Sequence, residues 1–205
     1  MPKPKYNDSV FINCPFDDDY KPILRAIVYV IYRCGFFPQT ALDEEDGTEI
    51  RLLKIIRKMR GCRYGIHDLS RIELNDADFP RFNMPFELGI FFGARYFGNN
   101  VQQRKNALIL ECERFTYQEY ISDLAGIDTR AHDNQPAIAL KRVHSWLNNA
   151  SGRKSIPGEK VLLTQYNEFI SVLPDLAEAT GYTLETLPFL NFLDITQEFV
   201  AKQLG

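Results

Sequence analysis

The sequence predicts an α/β protein: a parallel sheet of four to five strands covered on both faces by helices. Two observations predict it. Short apolar runs recur at residues 9–14, 36–42, 62–69 and 106–112, and the stretches between most of them carry apolar residues at helical spacing. Strands that alternate with helices at this interval imply right-handed βαβ units, and such units make parallel sheets.

Residues 9–14 read as a buried first strand that ends at Pro15. Asp17, Asp18 and Asp19 supply a cap and first-turn charge for a helix over 20–34. Ile23, Ile27, Val30 and Ile31 recur along it at helical spacing, and Gly35 stops it. Residues 36–42 form the second strand. After an acidic loop, Thr48 is placed to cap a helix over 49–60, which stops at Gly61. This helix is expected to group Ile50, Leu53 and Ile56 on one face, with Ile55 and Met59 beside it. The third strand covers 62–69, and a polar loop of about twelve residues, 70–81, follows. Between Phe82 and Phe97 the only ionisable side chains are Glu87 and Arg95, so this helix reads as buried on most of its circumference. The fourth strand is expected at 106–112, a helix at 117–124, a short edge strand at 126–129 and a helix at 136–149. A linker-like stretch at 150–158 leads to two amphipathic helices, 159–180 and 184–204, with Pro174 and Pro188 as their points of interruption. The division is therefore an α/β domain over 1–150 and a helical extension over 151–205, packed on that domain or on a partner protein.

Hydrophobic residues make up 45% of the 205, enough for a substantial core. A formal charge of -3 and a pI near 5.7 give no electrostatic footprint for nucleic acid, and no apolar run reaches membrane-spanning length. The N-terminus lacks the apolar core of a signal peptide. Cys14, Cys34, Cys62 and Cys112 fit no zinc or CxxC spacing; they read as buried free thiols in a reducing compartment, so the expected location is cytoplasmic. His67, His132 and His144 are too scattered for a metal site, and neither metal nor cofactor is expected.

Ligands of open α/β sheets bind at the carboxyl ends of the strands. That edge collects Asn13 and Phe16 after the first strand, Asp68 after the third, and Asn83 and Glu87 at the following helix. Two carboxylates, amides and an aromatic wall suit a ribose, and Arg71 and Arg81 are placed to hold a nucleotide phosphate. Each residue also has a purely structural role open to it. Glu87 and Asn83 suit a helix end, Asp68 a turn cap, Phe16 and His67 the interior, and the arginines a solvated loop. Phosphate capture of the GxGxxG or GxxxxGK[ST] kind is absent.

Val10-Phe11-Ile12-Asn13-Cys14-Pro15-Phe16-Asp17 resembles the "hhhxxPF" start of two related groups, the nucleoside 2-deoxyribosyltransferases and the prokaryotic Toll/interleukin-1-receptor-like (TIR-like) nucleotide-binding proteins. Ile66-His67-Asp68-Leu69-Ser70 is similar to their "hxDLT/S" strand end, and Asn83-Met84-Pro85-Phe86-Glu87-Leu88-Gly89 to "NxxFYELG". The order and spacing of all three agree, over roughly the first 110 residues. Arg81 and His67 depart from the pattern, where many relatives carry Asn or Asp and a small apolar residue respectively. The resemblance implies a flavodoxin-like three-layer fold and cleavage or transfer at an N-glycosidic bond, with NAD as the foremost substrate. Glu87 would take the catalytic position, and Asp68 and Asn83 the sugar-binding positions. It also implies a homo-oligomer and a role in antiphage defence. Deoxyribosyl exchange between bases, and a nucleotide-sensing or assembly module without turnover, stay open beside it. In the last case the C-terminal helices would meet a partner.

Overall fold

Five parallel strands form one sheet: β1 (Ser9–Asn13), β2 (Phe37–Gln39), β3 (Tyr64–Asp68), β4 (Asn106–Glu111) and β5 (Arg130–Ala131). Their order is β2-β1-β3-β4-β5, the flavodoxin-like order, in which the connections diverge between β1 and β3 and open a crevice at their carboxyl ends. The computed structural model describes residues 4–44, 46–70 and 82–204.

Alternation along the strands sorts the core into two faces. Val10, Ile12, Tyr64, Ile66, Leu108 and Leu110 meet α1 (Lys21–Arg33) and α4 (Pro136–Ser151). Phe11 meets Ile55 and Met59 of α2 (Arg51–Arg60) and Phe91 of α3 (Asn83–Phe97) on the other face. Gly65 lets α3 come close, because a Cβ there would stand 2.6 Å from a ring carbon of Phe91. The C-terminal helices α5 (Glu159–Glu178) and α6 (Phe189–Leu204) lie on the α1–α4 side and bury Leu162, Phe169, Leu173, Phe192 and Val200 in the same core. Stacking of Tyr29 on Phe169 and a bond from the Tyr29 hydroxyl to Gln203 (2.9 Å) tie α1 to this layer. That second layer explains why Ala26, Val28 and Tyr29 are buried in addition to the stripe expected for α1. The extension therefore packs on its own domain.

Several expectations are corrected. The stripe of α2 turns away from the one foreseen: Ile55 and Met59 are buried, whereas Ile50, Leu53 and Ile56 are exposed. Lys54 donates to the Glu44 carbonyl (2.7 Å) and Lys58 bridges Asp43, and together they fix the rotation. Thr48 bonds Asp46 and does not cap α2. Around α3 only Leu88 and Phe91 are fully buried, because its outer side has no covering layer among the described residues. The helix expected at 117–124 is two 3₁₀ turns, Thr116–Glu119 and Ser122–Leu124; Phe115 enters in the left-handed region (φ 70°) and Ile121 is non-helical between them. The edge strand falls at Arg130–Ala131, just past the residues expected. α5 runs through Pro174, and α6 starts at Phe189, immediately after Pro188. No described helix is long and apolar enough to cross a membrane.

Candidate active site

The β1/β3 crevice is built from the residues that end those strands. Asn13 closes β1, and its side-chain amide donates both to the Met84 carbonyl at the start of α3 (3.0 Å) and to Nδ1 of His67 (3.2 Å). One buried amide thus ties β1, β3 and the Glu87 helix together. Since Nδ1 accepts, the ring proton of His67 is on Nε2, which has no hydrogen-bond partner and lies among Phe11, Phe91 and Gly65. Burial, with the nearby Lys105 ammonium adding to it, pushes the His67 pKa down to about 3, so the ring is neutral.

Asp68 closes β3 and has no exposed surface. Tyr20 donates its hydroxyl to Oδ2 (2.5 Å), the Ser70 amide donates to Oδ1 (2.9 Å), and His132 Nε2 lies 3.0 Å from Oδ2. The tautomer of His132 follows from its other nitrogen: Nδ1 accepts from the Asn134 amide (3.1 Å), so the proton is on Nε2. That proton is shared between Asp68 and the Ser70 hydroxyl (2.9 Å). Burial raises the Asp68 pKa, but the bonds from His132, Ser70 and Tyr20 outweigh it and hold the carboxyl below its usual value.

Glu87 differs in every respect. α3 begins at Asn83, so Glu87 is its fifth residue and no acid lies in the first turn. Its carboxylate therefore does not serve the helix end, and capping no longer accounts for it. It is half-buried, and burial pushes its pKa up to about 7 despite the opposing charge of Arg51. The fully buried Cys14 thiol reports the convergence: burial raises its pKa, and the Asp68, Glu87 and Asp17 carboxylates raise it further. Asn13, Asp68 and Glu87 are thus assembled at one end of the sheet.

The other expected residues lie elsewhere. Asn83 is exposed in the first turn of α3, inside the helix and not at its cap position, which is Phe82. Phe16 points under the C-terminal layer, into a cavity between α1 and α6. Arg81 and Arg71 lie outside the described residues. Among the described residues no group of His, Cys, Asp and Glu is arranged to hold a metal. Sequence reasoning missed Tyr20, Ser70 and His132. Tyr20 is hidden behind the acidic cap Asp17-Asp18-Asp19, and His132 lies in a stretch without periodicity. No family model matches the chain, and none of the curated proteins is detectably similar to it.

Proposed function

We propose that the protein cleaves an N-glycosidic bond of a nucleotide, foremost the nicotinamide–ribose bond of NAD, with Glu87 as the carboxylate that meets the reacting sugar. The observation that carries this reading is a half-buried carboxylate with a pKa near 7, beyond the capping turn of its helix, at the switch point of a parallel sheet. The three sequence motifs converge on the same place.

In this reaction the bond from the anomeric carbon to the pyridinium nitrogen breaks and nicotinamide leaves with the electron pair. The ionised Glu87 stabilises or traps the oxocarbenium-like ribose. Water adds to the anomeric carbon and releases one proton, giving ADP-ribose; attack by a group of the same molecule gives a cyclic product instead. Asp68, with both oxygens engaged, acts as a positioning residue. Asn13 fixes the entry of α3 and hence the place of Glu87. A homo-oligomer belongs to the proposal. Ile50, Leu53, Phe82 and Phe86 are exposed at the amino ends of α2 and α3, beside Glu87, where a second copy would cover apolar surface.

The test is nicotinamide release from NAD by the purified full chain, at dilute and at high protein concentration. Glu87→Gln is expected to lower the rate at least about 100-fold. No release from the wild type at either concentration, or equal release from Glu87→Gln, overturns the proposal. Exchange of bases on deoxynucleosides without nicotinamide release reassigns the site to transfer.

A further inference from the structure

A second concavity, of about 140 Å³, opens between α1 and the C-terminal layer. Leu24 of α1, Leu42 beyond β2, and Leu187, Phe189 and Phe192 at the entry to α6 give it apolar walls. An apolar cavity of roughly 150 Å³ takes up one benzene ring. Two cations stand in the same wall, Lys21 and Arg25. The half-buried guanidinium of Arg25 donates to a neutral acceptor, the Leu184 carbonyl (3.0 Å). Lys21 bridges the exposed Asp18 (2.7 Å). The exposed Glu185 lies within electrostatic reach of both cations and competes for them.

We propose that this cavity is a binding site for a single-ring aromatic carboxylate, its ring among Leu24, Leu42, Leu187 and the phenylalanines and its carboxylate on Arg25 and Lys21. A neutral ring offers nothing to the two cations in the wall, and an inorganic or aliphatic anion leaves the apolar walls wet. An aromatic carboxylate satisfies both, because a planar carboxylate matches the guanidinium fork. The site is separate from the Glu87 crevice. Phe16 and Lys21 line it and flank the turn that delivers Tyr20 to Asp68, so its occupant rests on the support of the crevice.

The probe is benzoate, titrated into the full-length protein carrying ¹³C-labelled leucine methyls, with benzamide and acetate as the neutral ring and the ringless anion. Saturable shifts at Leu24, Leu42 and Leu187 are expected with a Kd below about 1 mM, and binding of benzamide and acetate about 10-fold weaker or more. Arg25→Met keeps the apolar stem and is expected to weaken benzoate about 10-fold while leaving benzamide unchanged. Glu185→Gln, a surface change that removes the competing charge, is expected to tighten benzoate about two-fold or more. Absence of saturable leucine shifts overturns the proposal. So does benzamide or acetate binding as well as benzoate, or a benzoate affinity indifferent to Glu185→Gln. None of these readouts depends on nicotinamide release, so this proposal and the N-glycosidase proposal fail separately.

Discussion

Two carboxylates stand at the same end of the sheet, and their surroundings drive them in opposite directions. Asp68 is sealed, each oxygen meets a donor, and its pKa is lowered; Glu87 is half-buried and its pKa is raised to about 7. The strand end has turned its acid into a fastening for Tyr20, Ser70 and His132. The helix holds its acid in an environment that disfavours the charge. A fold has no structural use for a carboxylate it destabilises, and pairs of acids with diverging pKa values are what acid–base and sugar chemistry require. The comparison therefore places Asp68 in the architecture and leaves Glu87 as the carboxylate on which the proposed chemistry rests.

The most severe way to break this division is to neutralise each acid without changing its shape. Asp68→Asn supplies only one acceptor atom. If its oxygen faces Tyr20 and His132, its amide confronts the Ser70 N–H, and the reverse placement confronts two donors. The expected loss is about 3 kcal/mol of stability, with a Tm lower by several degrees, read by urea and thermal denaturation. Glu87→Gln is expected to keep or raise stability at pH 8 while removing activity. Equal destabilisation by the two substitutions would erase the distinction.

A second test uses pH, because two groups titrate abnormally and in opposite senses. Glu87 has a folded pKa of about 7 against 4.5 for an ordinary glutamate, so the unfolded chain loses its proton first. Stability therefore falls as pH rises from about 4.5 to 7, by roughly 1–2 kcal/mol once solvent screening of a partly exposed group is allowed for. His67 has a folded pKa of about 3 against 6.5, so its contribution is complete above pH 6.5 and is lost as pH falls towards 3. Between about 4.5 and 6.5 the two oppose each other. Glu87→Gln should match the wild type below pH 4.5 and exceed it above pH 7, as measured by urea titrations at fixed ionic strength. If the proposed reaction uses the ionised carboxylate, nicotinamide release should decline below pH 7, where the Glu87 and His67 contributions to stability oppose each other.

Much of this was legible in the sequence, and the exceptions have identifiable causes. The strands were readable because β1, β3 and β4 are buried and apolar and are bounded by Pro or polar residues. Glu87 was readable as one of two charges in an otherwise apolar helix. The rotation of α2 was not, since Ile50, Leu53 and Ile56 make as good a stripe as Ile55 and Met59. Contacts of Lys54 and Lys58 with the preceding loop decide between them. The 3₁₀ turns at 116–124 depend on a left-handed Phe115, which no local pattern announces. The role of Asp68 was obscured for a similar reason: two of its partners, Tyr20 and His132, lie 48 and 64 residues away, and only the folded topology brings them to one carboxylate.

The smallest expected effect probes that carboxylate most finely. Tyr20→Phe removes one donor from Oδ2 of Asp68 and leaves His132 in place, so neither oxygen is orphaned. The loss should be about 1–2 kcal/mol, clearly below that of Asp68→Asn. Its sign with pH is also fixed. The bond from Tyr20 helps to lower the folded pKa of Asp68, so its contribution is present above the ordinary carboxyl value of 3.8 and fades as pH falls below it. Urea titrations at pH 7 and pH 3 separate this from a mere packing loss, which would be the same at both. If the difference is undiminished at pH 3, the hydroxyl serves the core and not the charge. Asp68 then holds its low pKa through His132 and Ser70 alone.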